Sequence, residues 1–145
     1  MARIHKQEHV PYSADEMFAL VNDIEAYPDF LPWCTSTNVI EHHGDSLVAS
    51  VSLAVGKIRQ TFTTANQMQG NESIVMRLVE GPFKQLSGHW QFKSTGEGSC
   101  MVSLDMQFEF KNRLVKHTLG HAFHKITDSL VDAFIGRAQS VYGQR

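Results

Sequence analysis

The chain has 145 residues, 42% of them hydrophobic, and a net charge of −2 at pH 7, which predicts one globular domain that buries a core without disulfide bonds. This charge gives no basic excess of the kind that drives DNA binding, and no stretch of 18 apolar residues is present to span a membrane. Because the N-terminal residues lack the apolar core of a secretion signal, and Cys34 and Cys100 show no C-x-x-C pattern, we expect a cytoplasmic protein.

The first part of the chain is predicted to contain one strand followed by two short helices. The strand covers residues 3–10. Residues 13–16 (SADE) then have the spacing of a capping box, in which the serine side chain accepts a backbone N–H and the glutamate reaches back. A helix should therefore begin there and end near Ile24. Pro28 and Pro32 bracket a single helical turn after it.

The segment 27–34 (YPDFLPWC) concentrates large apolar side chains in a short irregular stretch. Two interpretations remain open at this point. The segment closes one end of the sheet as a hydrophobic plug, or its aromatic side chains form the lip of a cavity. The second reading rests on the freedom of side chains on a short loop, which can swing while those on a strand cannot.

The middle of the chain alternates apolar and polar residues with a period of two, which is typical of strands with one buried face. The clearest case is residues 100–110 (CMVSLDMQFEF). With the first strand, these segments predict a curved antiparallel sheet of about seven strands, with a longer loop at 80–84. The remaining predicted strands cover residues 35–41, 46–55, 58–68 and 73–79 and a segment through 86–92.

Polar residues share one face of the predicted strand 58–68 with apolar residues, and this face carries buried polar groups if it points inward. Gln60, Thr64 and Asn66 lie on the same side as Phe62, and polar groups that are buried need hydrogen-bond partners. Either ordered water wets this face at the mouth of the sheet, or Gln60 or Thr64 binds the polar head of a ligand.

The last part of the chain is predicted to form one helix of about 30 residues, roughly 45 Å long. Asn112 offers an N-cap oxygen, Gly143 stands where a helix commonly ends, and no proline interrupts the interval. A wide apolar stripe on this helix is expected to lie across the concave face of the sheet. The stripe contains Val115, Leu119, Ala122, Phe123, Ile126, Leu130, Ala133 and Phe134.

Three histidines, His117, His121 and His124, share the opposite face of this helix. The first two have a spacing that can hold zinc. Their position opposite the apolar stripe is, however, that of a solvent-exposed helix face, and we expect no metal. The sequence contains no H-E-x-x-H or G-x-S-x-G motif, and the inward strand faces offer no acid or base. We therefore expect no catalytic residues and no enzymatic activity.

The C-terminal half of the helix is apolar nearly all round, because Val131, Ile135, Ala138 and Tyr142 occupy the side that the histidines keep polar. Two interpretations are open. The first helix or the segment 27–34 packs over this side, or the side is a surface for a partner or a membrane.

Several strings, in this order along the chain, resemble the coenzyme Q-binding, START-like family of polyketide cyclase and lipid transport proteins. The resemblance covers essentially the whole chain, and the absence of a mitochondrial presequence points to the bacterial branch. The strings are 27–34 (YPDFLPWC), 81–90 (GPFKQLSGHW), 108–112 (FEFKN), 133–138 (AFIGRA) and 141–143 (VYG).

The resemblance implies one START-like ligand-binding domain over residues 1–145, with an α+β helix-grip fold in which a curved sheet wraps around the long helix and leaves a hydrophobic cavity. It implies non-catalytic binding of a hydrophobic ligand, first of all ubiquinone or a related isoprenoid lipid, in support of respiratory electron transport. No other cofactor is expected. Transfer of such a lipid would need transient contact with a membrane surface, which places the protein in the cytoplasm or peripherally at the inner membrane.

The alternative that the resemblance implies is the toxin of a toxin–antitoxin pair, which binds the large ribosomal subunit and blocks subunit association. Its candidate RNA contacts here are Lys111, Arg113, Lys116, Lys125 and Arg137, all on the long helix or just before it.

For the ligand reading, the lipid tail is expected to lie against the long helix and the last strand, while aromatic residues shape the mouth of the cavity. Polar side chains on the strand 58–68 would bind the head group. The expected ligand-binding residues are Leu31, Trp33, Gln60, Phe62, Thr64, Phe83, Trp90, Phe108, Phe110, Leu119, Phe123, Ile126 and Leu130.

Overall fold

The computed structural model describes all residues, 1–145, and consists of seven strands, two α-helices and one 3₁₀ helix. In chain order the elements are β1 (Ala2–Val10), α1 (Ala14–Asn22), the 3₁₀ helix (Ile24–Asp29), β2 (Cys34–His43), β3 (Ser46–Val55), β4 (Ile58–Gln69), β5 (Ser73–Glu80), β6 (Phe83–Gly96), β7 (Ser99–Phe110) and α2 (Arg113–Tyr142).

All seven strands belong to one antiparallel sheet with the spatial order β1-β7-β6-β5-β4-β3-β2. Strands β2 to β7 are joined as successive hairpins, and β1 pairs with β7 from Ala2↔Phe108 to Val10↔Cys100. The two short helices connect β1, at one edge, to β2 at the other. The predicted α+β arrangement of a curved sheet around a long C-terminal helix is confirmed.

β-Bulges interrupt the strand pairing and bend the sheet toward α2. One lies in β4, where the pairing with β5 shifts between Thr63 and Thr64. Both threonines are buried in consequence, although neighbouring residues of a regular strand point to opposite faces. Further bulges occur in the β2–β3 and β6–β7 pairings.

Helix α2 begins and ends at the predicted residues. The Asn112 side chain accepts the Val115 N–H at 2.9 Å, and Gly143 follows the last turn with a φ of +85°, a conformation that side chains other than glycine rarely adopt. Helix α2 packs against the sheet and against α1, and its buried residues are Leu119, Gly120, Phe123, Ile126, Thr127, Val131, Phe134 and Ala138.

The C-terminal half of α2 is covered by α1 and the segment before it. Val131 and Ala138 are buried, and the Tyr142 hydroxyl donates to the Glu16 carbonyl at 2.9 Å. The rings of Tyr142 and Tyr12 lie 6.0 Å apart. Of the two interpretations of this apolar region, packing within the chain is therefore the one that the structure shows.

Three further contacts fix the C-terminus against the start of α1. The Tyr12 hydroxyl donates to the Gly143 carbonyl at 2.7 Å, and the Arg145 guanidinium donates to both carboxylate oxygens of Glu16, at 2.6 and 2.9 Å. Glu16 also closes the predicted capping box with Ser13. The Arg145 side chain and the Ser13 N–H together lower the pKa of Glu16 from 4.5 to about 2.

Two local predictions are wrong. The helical turn expected between Pro28 and Pro32 instead lies earlier, at Ile24–Asp29, and contains Pro28, because a 3₁₀ helix this short needs few backbone N–H donors and tolerates the proline. The loop expected at 80–84 is reduced to two residues, since β5 ends at Glu80 and β6 begins at Phe83. The turn packs so tightly that a Cβ on Gly81 would lie 2.8 Å from the Phe62 Cβ.

Candidate functional site

An apolar cavity of about 90 Å³ lies between α2 and the inner face of the sheet. Fifteen of its 19 lining residues are hydrophobic, and no carboxylate, imidazole, amine or guanidinium lines it. The lining consists of Ile24, Tyr27, Trp33, Ala49, Val51, Leu53, Phe62, Thr64, Asn66, Met76, Leu86, Gly88, Trp90, Met106, Phe123, Ile126, Thr127, Leu130 and Phe134.

Aromatic side chains close the two ends of the cavity. At one end the Phe134 ring packs edge-on against Trp90 and against Tyr27, with centroids 5.4 Å apart in both pairs. At the other end Phe123 of α2 packs against Phe62, with centroids 6.3 Å apart. Such ring pairs stabilise the walls beyond simple burial.

Besides the Tyr27 hydroxyl and the indole N–H groups of Trp33 and Trp90, the polar side chains of the cavity come from β4 and α2. The Thr64 hydroxyl donates to the Asn66 Oδ1 at 2.9 Å, which leaves the Asn66 amide N–H₂ without a protein partner. No fully enclosed side-chain polar atom lacks a hydrogen bond, so this amide is partly accessible, and Asn66 lines the cavity. The Thr127 hydroxyl is satisfied within its own helix by the Phe123 carbonyl, at 3.0 Å. The lining therefore presents three side-chain donors without a protein partner, the Asn66 amide and the Trp33 and Trp90 indole N–H groups, which suit an acceptor oxygen on an otherwise apolar ligand.

Seven of the thirteen predicted ligand-binding residues line the cavity, and six do not. Gln60 is half-buried and lies opposite Leu53 near the start of β4, whereas Leu31 is buried but does not line the cavity. The seven lining residues are Trp33, Phe62, Thr64, Trp90, Phe123, Ile126 and Leu130. The other four outside it are Phe83, Phe108, Phe110 and Leu119, which pack on the far side of Phe123 or along α2.

Several lining residues were not predicted as ligand contacts. Asn66 shares the inward face of β4 with Thr64, and that alternation is the signal that could have found it. Met76, Leu86 and Met106 come from neighbouring strands, and Gly88 opens space between them: a Cβ there would lie 2.5 Å from the Met76 Cε. Which of many inward residues border a void depends on side-chain packing, which periodicity does not report.

The cavity is small in this conformation. Ligand sites for small organic molecules typically measure about 300–1,000 Å³, so a quinone ring with part of its tail requires the walls to move. Tyr27 and Trp33 of the segment 27–34 form one wall, while Leu31 is only 1% exposed. The Tyr27 hydroxyl donates to the Val21 carbonyl, and burial raises the pKa of this tyrosine. The segment thus acts as the plug here and supplies the cavity wall at the same time.

A second concave feature lies at the start of α2 and has a volume of about 470 Å³. We call it the basic groove. It brings together three of the five cations predicted as RNA contacts, whereas Lys125 lies outside it and the Arg137 guanidinium packs over the Phe30 ring, 5.0 Å from its centroid. The groove is lined by Met1, Ala2, Lys84, Phe108, Glu109, Phe110, Lys111, Asn112, Arg113, Lys116 and His124.

The three histidines of α2 are exposed, as their phase predicts. His124 packs beside Phe108, with ring centroids 5.1 Å apart. The structure contains no group of three or more His, Cys, Asp or Glu side chains placed to hold a metal ion. No helix is long and apolar enough to cross a membrane.

Comparison with protein families and known proteins gives a consistent result. Residues 10–135 match the family model described as polyketide cyclase / dehydrase and lipid transport. The chain is 41% identical to the ribosome association toxin RatA of Escherichia coli, over 100% of this chain and 92% of that protein. It is 43% identical to the protein of the same name from Pseudomonas aeruginosa, over 97% of both chains.

More distant matches include one relative and one solved structure. The mitochondrial coenzyme Q-binding protein COQ10 of Drosophila melanogaster is 25% identical over 90% of this chain and 55% of that protein. The crystal structure of a START superfamily protein from Mycobacterium smegmatis superposes with a TM-score of 0.78, at 22% identity over 96% of this chain and 98% of that one. This structural likeness concerns the fold alone.

Proposed function

Because the chain belongs to the polyketide cyclase, dehydrase and lipid transport family, in its START-like branch, we propose that it is a ribosome association factor that binds the large ribosomal subunit and opposes subunit joining. Full-length similarity to proteins named for ribosome association carries this proposal. The family alone would not carry it, since one fold serves many functions.

The extent of the identity supports a shared surface as well as a shared core. An identity of 41% over 145 residues corresponds to about 59 positions, whereas 38 residues of this chain are buried. At least about 20 identical positions therefore lie on partly or fully exposed sites. Packing does not require identity at exposed positions, so retention there favours a common binding partner.

Sedimentation of ribosomal subunits tests this proposal. Purified small and large bacterial subunits are mixed under conditions that favour their association, with increasing protein, and separated on sucrose gradients. We expect the protein to sediment with the large subunit and to reduce the fraction of joined ribosomes in proportion to its occupancy. Unchanged gradients at a large molar excess of protein would count against ribosome association.

The cavity supports a second candidate function, which is non-catalytic binding of a hydrophobic ligand that carries an acceptor oxygen, with ubiquinone or a related isoprenoid as the first candidate. The lining is apolar except for Thr64, Asn66, Thr127, the Tyr27 hydroxyl and the indole N–H groups of Trp33 and Trp90, and it contains no side chain placed for acid–base chemistry at neutral pH. Each buried methylene of such a ligand contributes roughly 0.8 kcal/mol to binding.

Native mass spectrometry with organic extraction tests the ligand proposal on protein purified from a quinone-producing host. The matched control is Ala49→Leu, which adds side-chain volume at a cavity-lining position that is 1% exposed. We expect a lipid to co-purify with the unchanged chain and to be lost from the control. Equal retention by both proteins would place the lipid outside the cavity, and absence from both would weigh against the carrier function.

A further inference from the structure

We infer that the basic groove binds the sugar–phosphate backbone of ribosomal RNA, an inference that rests on the proposed ribosome association. The groove lies between the starts of β1 and β6, the end of β7 and the N-terminal turns of α2. Its cationic side chains are Lys84, Lys111, Arg113 and Lys116, with His124 at one side.

The groove concentrates positive charge in a chain that is otherwise acidic. It holds four of the 13 Lys and Arg side chains but one of the 15 carboxylates, Glu109. The rest of the chain carries nine such cations against 14 carboxylates. A cluster of this kind on a net-negative protein attracts an anionic partner to one place and disfavours non-specific contact elsewhere.

The four cations are free to bind an external anion. The structure contains three ion pairs, His5–Asp105, Lys6–Asp128 and Arg145–Glu16, and none of them involves a groove side chain. The Glu109 carboxylate accepts from the Gln85 side chain at 3.5 Å rather than from a neighbouring lysine. Lys84, Lys111, Arg113 and Lys116 are all exposed.

The backbone that holds these cations is fixed, so little ordering accompanies binding. The Lys111 N–H donates to the Pro82 carbonyl at 3.1 Å, which joins the end of β7 to the β5–β6 turn. Beneath the groove, the buried Phe83 ring stacks on Phe110 with centroids 5.4 Å apart. Residues three apart on a helix lie on one side, so Arg113 and Lys116 point the same way from α2.

The shape of the groove favours an RNA backbone over a lipid bilayer. A protruding ridge of phosphates can enter a cleft of about 470 Å³ and contact cations on both walls, whereas a flat bilayer reaches the rim alone. Leu114 beside the groove is 72% exposed and Met1 in its lining is 65% exposed, but two such side chains contribute together roughly 3–6 kcal/mol of burial, comparable with a single acyl chain, which anchors a protein to a membrane only marginally. RNA is recognised through phosphates and shape in this way.

Charge reversal at the groove tests the inference. The variant Lys84→Glu/Arg113→Glu/Lys116→Glu is compared with Lys57→Glu/Arg59→Glu/Arg77→Glu, which makes the same charge change at exposed positions outside the groove. Glutamate in the first turn of α2 is favoured by the helix dipole, and circular dichroism with thermal melts checks that both variants fold. Binding to purified large subunits and to a 20-base-pair RNA duplex is measured at several salt concentrations.

We expect the groove variant to lose at least about tenfold in affinity for the large subunit and for the duplex. The slope of the logarithm of its binding constant against the logarithm of the salt concentration should be smaller in magnitude by about 2–3. The control variant should bind like the unchanged protein.

Equal losses in both variants, or none in the groove variant while the unchanged protein binds subunits, would overturn the groove assignment and leave ribosome association standing. Failure of the unchanged protein to bind subunits would overturn both proposals. Binding of the unchanged protein to vesicles rich in anionic lipid, without binding to the duplex or to subunits, would assign the groove to a membrane instead.

Discussion

Replacement of Phe123 by alanine separates the role of the cavity from general core stability. The Phe123 ring is 1% exposed, lines the cavity, and packs 4.8 Å from Phe83 and 4.9 Å from Phe108, measured between ring centroids. Its removal extends the 90 Å³ void by the volume of a phenyl ring, about 100 Å³. At about 24 cal/mol per Å³, that added void costs roughly 2.4 kcal/mol beyond the lost burial of the ring.

The total loss should be about 3–5 kcal/mol, within the range measured for such substitutions, and urea denaturation monitored by tryptophan fluorescence would report it. Domains of this kind are stable by about 5–15 kcal/mol, so the variant should still fold. We further expect a small apolar ligand such as toluene to stabilise Phe123→Ala, raising its free energy of unfolding by about 2.7 kcal/mol at 100 times its Kd.

The control is Phe92→Ala. Phe92 is also 1% exposed and stacks on Trp90 with ring centroids 6.1 Å apart, but it does not line the cavity. It should lose a similar amount of stability and gain nothing from toluene. Equal stabilisation of both variants, or of neither, would refute the view that the space beside Phe123 is a binding cavity.

Three further predictions follow from particular side chains. Because the folded-state pKa of Glu16 is about 2 against 4.5 for the free group, its contribution to stability is complete above about pH 4.5 and is lost as the pH falls toward 2. The variant Glu16→Gln, which breaks the pair with Arg145, should show a flatter dependence of urea midpoint on pH in that window, and an unchanged slope would contradict the pKa assignment. Gly88→Ala should push the Met76 methyl, 2.5 Å from the new Cβ, into the cavity. The amount of co-purified lipid should therefore decrease, while the melting temperature should change little. An undiminished amount of lipid would argue against the cavity as its binding site. Burial raises the pKa of the Cys100 thiol to about 11, so its reaction with a disulfide reagent at pH 8 should be at least about tenfold slower in native protein than in urea, and equal rates would show that this side chain is accessible.

Local signals in the sequence predicted most of the fold. The caps Asn112 and Gly143 act within one helical turn, so the bounds of α2 could be read directly, and the alternation in 46–55 gave the bounds of β3. The failures at Pro28 and Gly81 have a tertiary origin. Packing against the rest of the chain, rather than the residues of the segment itself, determines that the 3₁₀ helix includes Pro28. Packing likewise determines that the turn at Gly81 lies compressed against a distant strand.

The candidate sites were less predictable than the fold. Trp33 and Phe123 could be assigned to the cavity because any large apolar residue facing inward is near the centre of a small core. The choice of Asn66 over Gln60 as the accessible polar group depends on where the cavity ends along β4, which alternation does not show. The basic groove also combines Lys84 with cations about 27 or more positions away, because β6 pairs with β7 so that Phe83 faces Phe110.

The connection of the two chain ends determines the order in which the protein can fold during synthesis. Strands β2 to β7 can pair one after another as they emerge, because each is a hairpin neighbour of the next. β1 emerges first but must wait for β7, whose residues follow about 100 positions later, and such distant contacts form slowly. The hydrogen bonds of Tyr12 and Glu16 form later still, because their partners Gly143 and Arg145 are synthesised after β7 and α2. The closure of α1 on α2 therefore forms only after Gly143 and Arg145 have been synthesised, so a chain truncated within α2 keeps the β1–β7 pairing but lacks these contacts.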